Sequence, residues 1–171
     1  EGYGFVRDFV GIVAAAGCRV FIVHARNAIL KGLSPKQNRE VPPLKYDVVY
    51  QLKRDFPALT IVLNGGVTDT AAIETHLQHV DGVMIGREAY HNPYWLAGVD
   101  RDFYGDEHPV AARDAVEAAL SIYVAKQAAT GVPRHSIMRH TLGLYRGLPG
   151  ARAWRRAMSQ QPAWATLPLP G

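Results

Sequence analysis

The sequence predicts an α/β fold: a parallel sheet in the N-terminal part of the chain, followed by helices alone. Residues 20–23 (VFIV), 59–63 (LTIVL) and 82–85 (GVMI) are short apolar runs bounded by turn-forming residues, the pattern of buried strands. Stretches with helical spacing separate them, so strand and helix alternate as in successive βα units. Beyond Pro93 only helical spacing remains. The runs do not alternate apolar with polar residues, which predicts a parallel sheet buried on both faces.

Taken in order, residues 5–16 place Phe5, Phe9, Ile12, Val13 and Ala16 at helical spacing, and Gly17 stands where a C-terminal cap belongs. Cys18 precedes the first strand, at the end away from His24, and reads as a structural thiol. After a long polar loop, Pro42 and Pro43 fix a turn. Residues 46–55 then read as a helix whose Val48, Val49 and Leu52, with Phe56 beyond, share one face. The second strand ends in Asn64-Gly65-Gly66. Asp69 suits the N-cap of a helix through Leu77, and the third strand ends in Gly86-Arg87.

Residues 100–108 read as a polar, acidic linker, and Pro109 suits the first turn of a helix to about residue 129. Val116, Leu120, Tyr123 and Val124 would be its apolar stripe. Gly131 and Pro133 break it. A second helix is expected over 134–145, burying Ile137, Met138, Leu142 and Tyr145. A turn at 147–150 leads to a third helix over 151–159, with Trp154 and Met158 as core rather than a stacking surface. The last residues, from 161, read as a tail.

Composition narrows the class. The 171 residues are 48% hydrophobic and 20% charged, ordinary for a globular protein. A single cysteine excludes an internal disulfide framework and fits a reducing cytoplasm. No apolar run is long enough to suggest a membrane span, no leader is evident, and no metal-ligand spacing stands out. The sequence opens on Glu1 in what reads as a domain interior, so a piece of a longer protein is expected. The net charge of +4 is uneven. Residues 108–171 carry eight Arg or Lys against two acidic residues (Asp114 and Glu117), whereas residues 1–107 are slightly acidic. Such a basic region either meets an anion, nucleic acid being the usual one, or is a solvated surface.

Chemistry-bearing residues collect at strand ends. His24-Ala25-Arg26, Asn64-Gly65-Gly66 and Gly86-Arg87 each follow an apolar run, at the edge where α/β sheets bind ligands. Glycines there let a phosphate approach backbone N–H groups, and an arginine adds a charged fork. Each glycine alone could be a simple turn; three consecutive strand ends favour a site.

The stretch HARNAILKGLSPKQNREVPPL, followed by LNGG and then GREAYHNPYW, resembles the C-terminal part of a tRNA-dihydrouridine synthase, most like the A subfamily, from about Tyr3 to at least Arg156. The first motif is long and specific; LNGG and GRE are shared with other flavin barrels. The resemblance implies the last three βα units of a (β/α)8 TIM barrel in residues 1–99. It also implies a small all-α bundle that binds tRNA in 108–160, and a tail in 161–171. It implies FMN as cofactor, NADPH as reductant, and reduction of the C5=C6 bond of a uridine in the tRNA D-loop, near position 20. By motif position, His24 would contact the flavin, and Asn64, Gly65, Gly66, Gly86 and Arg87 its phosphate. Arg26, Lys36 and Arg39 in the loop, and Arg152 and Arg155 in the helices, would contact tRNA.

The sequence departs from the family at Asn27, where lysine is expected, and at Ile29, where tryptophan is expected. The larger departure is that the family's catalytic cysteine belongs to the barrel's first half, so no catalytic residue is expected here. Three strands cannot close a barrel. An exposed apolar edge is therefore expected, with self-association across it and no activity from this chain alone. The alternative reading is a non-catalytic tRNA-binding or scaffold fragment. A different flavin barrel, of the old-yellow type, fits the basic helical region less well.

Overall fold

The three apolar runs form one parallel sheet. The computed structural model describes residues 2–29 and 31–160. Strands β1 (Val20–His24), β2 (Thr60–Asn64) and β3 (Gly82–Met84) lie in the order β1-β2-β3. Helix α1 (Tyr3–Ala15) precedes β1. The loop after β1 holds the short α2 (Pro35–Asn38), and α3 (Tyr46–Asp55) and α4 (Thr70–Leu77) complete the crossovers. Parallel strands joined by helices in this order are what part of a (β/α)8 barrel looks like.

Local chemistry sets these elements. Helix α3 has Asp47 in its first turn and Lys53 and Arg54 in its last, each complementing the helix dipole. Its buried Val49 and Leu52 share a core with Ile61 and Leu63 of β2, of which all but Val49 have no exposure at all. The Asp69 carboxylate caps α4 by accepting from Ala72 N–H at 2.8 Å, an interaction generally worth about 1 kcal/mol. Lys53 Nζ donates to the Leu59 carbonyl at 2.8 Å and pairs with Asp81 at 2.8 Å. Asp81 also accepts the Ile61 N–H at 2.8 Å. Burial would push the Asp81 carboxyl up, but the Lys53 and backbone hydrogen bonds together outweigh it and hold it below the ordinary carboxylate value.

One expectation is corrected: the sheet is not buried on both faces. Along β1 exposed residues alternate with half-buried ones, and Val20 and Ile22 are 56% and 60% exposed. Helix α1 buries only Val10, leaving Phe5, Phe9 and Ile12 in water. The physical reason is position. β1 is an edge strand, and periodicity reports which residues share a face, not whether anything covers it.

The chain divides into two compact units between Gly86 and Arg87. The described residues of the second unit are helical: α5 (Arg87–His91), a 3₁₀ stretch (Pro93–Gly98), α6 (Val99–Tyr104), α7 (Arg113–Ala129), α8 (Arg134–Met138) and α9 (Ala151–Gln160). Val124, Met138, Leu144, Trp154 and Met158 form its core, with Val116, Leu120 and Tyr145 against them. Glu117 is also buried there, its carboxylate accepting from Tyr145 Oη at 2.7 Å.

Boundaries differ from expectation at three places, and one side chain differs in burial. The 100–108 stretch is not all linker, because α6 occupies its first half, and α7 starts at Arg113 rather than Pro109. Tyr123 is 51% exposed instead of packed, because α7 turns Glu117 and Val124 inward. The helix expected over 134–145 stops at Met138 and continues as tight turns, with Leu144 N–H bonded to Thr141 and Arg146 N–H to Gly143. The tail expected from residue 161 lies outside the described residues. No described helix is long and apolar enough to cross a membrane.

Candidate functional site

The strands end level. His24 lies opposite Asn64, and Asn64 opposite Met84, which forms a row at the C-terminal edge of the sheet. Ala25 N–H donates to the Asn64 carbonyl at 2.7 Å, carrying the pairing one residue further. His24 is exposed, and its Nδ1 accepts the Arg26 N–H at 3.1 Å. A backbone N–H can only donate, so Nδ1 is bare and Nε2 carries the proton. His24 therefore presents an Nε2–H donor at the sheet's end.

After Asn64 the chain turns through Gly65 and Gly66, with φ of 122° and 73°, conformations that glycine alone adopts without strain. A Cβ on Gly66 would lie 2.6 Å from Leu44 Cδ1 and 3.0 Å from Tyr46 Oη, and one on Gly65 would lie 3.3 Å from His24 Cε1. The turn is thus packed closely against Leu44 and Tyr46, with the imidazole beside Gly65. Tyr46 Oη donates to the Gly65 carbonyl at 2.9 Å. The Tyr46 ring sits 4.4 Å from that of His76, which is buried with Tyr50 Oη at 2.6 Å from its Nδ1. Burial pushes both tyrosine hydroxyls up and holds His76 below its ordinary value. A neutral polar cluster therefore buttresses the turn.

The basic loop is folded on itself. Arg26 Nη1 donates to the carbonyls of Glu40 at 3.2 Å and Pro42 at 2.5 Å, so this guanidinium closes the loop. Its Nε is buried without a hydrogen-bond partner among the described residues. The Ser34 and Gln37 side chains form a capping box around α2. The Asn38 side chain accepts from Ile29 N–H at 2.7 Å and donates to the Ile29 carbonyl at 2.9 Å. Lys36 and Arg39 are exposed at α2 and its C-cap. Gly86 is exposed after β3, and Arg87, also exposed, opens α5 of the second unit.

On α9, Arg152 and Arg155 are exposed while Trp154 and Met158 face the core. Arg155 lines a cleft of about 580 Å³ together with Tyr90, His91, Arg139, His140 and Arg146. Sequence reasoning did not single out these five, although Arg139 and Arg146 belong to the basic region. It also missed Tyr46, because nothing in the sequence shows that its hydroxyl meets a turn nineteen residues away. Among the described residues no group of His, Cys, Asp or Glu could hold a metal ion.

A profile of the dihydrouridine synthases (Dus) matches residues 1–165. The chain belongs to the dihydrouridine synthase family. It is 54% identical to a tRNA-dihydrouridine(20/20a) synthase of Shewanella oneidensis over 160 residues, 94% of this chain and 48% of the relative. The protein of that name from Pseudomonas aeruginosa is 53% identical over 169 residues, 99% of this chain and 51% of the relative. That from Escherichia coli K12 is 51% identical over 161 residues, 94% and 47%. The chain thus spans about half the length of the curated relatives it matches. Its three parallel strands and their helices are consistent with part of a dihydrouridine synthase barrel.

Proposed function

We propose that the chain is the C-terminal part of a flavin-dependent tRNA-dihydrouridine synthase of the A subfamily. The parent protein would reduce the C5=C6 bond of a D-loop uridine near position 20, with NADPH as reductant. The observation that carries this reading is the positive-φ Gly65-Gly66 turn beside His24. Both glycines hold a positive φ, and a side chain on Gly66 would strike Leu44; consecutive glycines in such a turn let backbone N–H groups approach a phosphate. FMN, when bound, supplies the hydride.

The roles of this chain's residues follow from their placement. His24 Nε2–H donates to an acceptor at the sheet's end, with its tautomer held by the Arg26 N–H. Asn64, Gly65 and Gly66 hold the phosphate, and Tyr46 holds the turn; the resemblance assigns Gly86 and Arg87, consecutive in the chain, to the same phosphate. Lys36 and Arg39 offer cations to tRNA from a loop that Arg26 closes, and Arg152 and Arg155 do so from α9. The chain alone would be inactive, because the resemblance places the family's catalytic cysteine outside these residues; the exposed Phe5, Phe9, Ile12, Val20 and Ile22 mark the surface where the rest of a barrel would pack.

The test is reconstitution: this chain, the N-terminal half of the Shewanella relative, FMN, NADPH and unmodified tRNA, with dihydrouridine read by mass spectrometry. Activity from the mixture, and from neither half alone, supports the proposal. Tight tRNA binding with no recoverable reduction would replace it by the non-catalytic RNA-binding reading.

A further inference from the structure

The cleft of the second unit contains a hydrogen-bond relay whose direction can be worked out. Arg139 Nε donates to His140 Nε2 at 3.0 Å. Arginine has no acceptor, so His140 Nε2 is bare and the proton of the neutral ring sits on Nδ1. Tyr90 Oη lies 3.0 Å from that Nδ1 and so accepts the bond. The Tyr90 hydroxyl proton is then left over, free to donate to something in the cleft.

The cations around this hydroxyl are unequal. Arg146 is paired with Glu88, at 3.3 Å and 3.5 Å to its two oxygens. Arg139 and Arg155 have no carboxylate partner among the described residues. The aromatic surface is equally specific. Tyr90 is 51% exposed, with the His140 and His91 rings in T-shaped contact at 5.8 Å and 5.7 Å. Gly143 fastens the two walls together: a Cβ there would collide with the His91 carbonyl. A cleft of about 580 Å³ has the size of a small-ligand site and exceeds what one phosphate needs.

We infer that this cleft binds one unstacked nucleotide of single-stranded RNA. The base lies on the exposed Tyr90 ring, and a neighbouring phosphate is held by Arg139, Arg155 and the Tyr90 hydroxyl. A duplex fits poorly, because its base faces are already covered by neighbouring bases and its phosphates lie on a convex surface. The inference deepens the reading above and rests on it for the choice of RNA over another anion.

The test is fluorescence anisotropy on the full 171-residue chain, with a short labelled single-stranded RNA and a blunt duplex of equal length. The single strand is expected to bind about tenfold tighter. Tyr90→Ala abolishes that preference. Tyr90→Phe keeps the ring and the preference but weakens binding several-fold through loss of the donor. Arg139→Gln lowers the slope of log affinity against log salt by about one. Arg156→Gln, on α9 and away from the cleft, matches the charge change and leaves the strand preference intact.

Equal binding of duplex and single strand, or equal effects of Tyr90→Ala and Arg156→Gln, would overturn the inference. So would displacement of the RNA by a free nucleoside monophosphate at equal concentration. Unmodified tRNA separates the two readings. Binding of tRNA that ignores every cleft variant overturns the cleft alone. Single-strand binding at the cleft without tRNA binding overturns the synthase reading and leaves the cleft standing.

Discussion

In the first unit Ile61 and Leu63 are wholly buried in β2, while Phe5, Phe9 and Ile12 of α1 and Val20 and Ile22 of β1 are 56–73% exposed. The second unit also exposes apolar groups, Ile122 at 73% among them, but around a core that Val124, Met138, Leu144, Trp154 and Met158 complete by themselves. For β1 the difference follows from where an element finds its hydrogen bonds. A helix satisfies its backbone within one segment. A strand needs neighbours from elsewhere in the chain, and an edge strand leaves a row of groups unpaired. An edge strand therefore stays open in a way that a set of packed helices does not.

The largest effects expected on this comparison come from core truncation. Trp154→Ala should cost about 3–5 kcal/mol and Leu63→Ala about 2–5 kcal/mol, against much less for Ile22→Ala at the exposed edge, all read by urea denaturation. An Ile22→Ala penalty equal to that of Leu63→Ala would show that the edge is covered in solution. Next comes the buried carboxylate of the second unit. Tyr145→Phe leaves Glu117 without its hydroxyl donor and should cost about 1–3 kcal/mol.

Alkali probes both units together. Burial, helped by hydrogen bonds to Asp55 and Glu117, raises Tyr3 and Tyr145 to about 12, against 10.0 ordinarily. Above that ordinary value the unfolded chain releases these protons and the folded chain does not. Their contribution to stability is thus complete below pH 10 and is lost as pH rises through about 12. The Tyr3→Phe, Tyr145→Phe double variant should flatten that fall in an alkaline denaturation series.

Gly66→Ala should cost about 1–2 kcal/mol, from the left-handed backbone alone, and more if Leu44 cannot move. The smallest stability effect is expected for Ile12→Lys with Ile22→Lys, within about 0.5 kcal/mol for each. Its readout is sedimentation: the wild-type chain is expected to self-associate through the α1 and β1 surface, and the double variant to be monomeric. A wild-type chain that sediments as a monomer would remove the self-association proposal.

Much of the fold was legible because its signals are local. Apolar runs marked β1, β2 and β3 to within a residue or two, and Asp69 and the helix over 46–55 could be read from neighbours three or four residues away. The exposure of Phe5, Phe9 and Ile12 was not legible, since periodicity defines a face without naming what meets it. The early end of α8 at Met138 was hidden because 134–145 keeps helical spacing, while Gly143 is needed for the close approach of the His91 carbonyl. Glu117 could have been suspected, because it stands two turns before Val124 on one face of α7. The strand-end candidates His24 and Asn64 could be placed together because both end apolar runs. The cleft could not, because it joins Tyr90 and His91 to arginines some fifty or more positions away.

The Asn38 side chain binds both the N–H and the carbonyl of Ile29, as a neighbouring strand would. A pair of hydrogen bonds from one amide fixes Asn38 to Ile29, so that contact has little freedom left to lose when a partner arrives. Lys36 and Arg39 stand close to Asn38 in the chain, so encounter with a polyanion should be governed by diffusion and charge rather than by a slow rearrangement of the loop. Ionic strength would then act mainly on how fast the complex forms. Replacing Asn38 by alanine would make association slower and less sensitive to salt, with no cation removed.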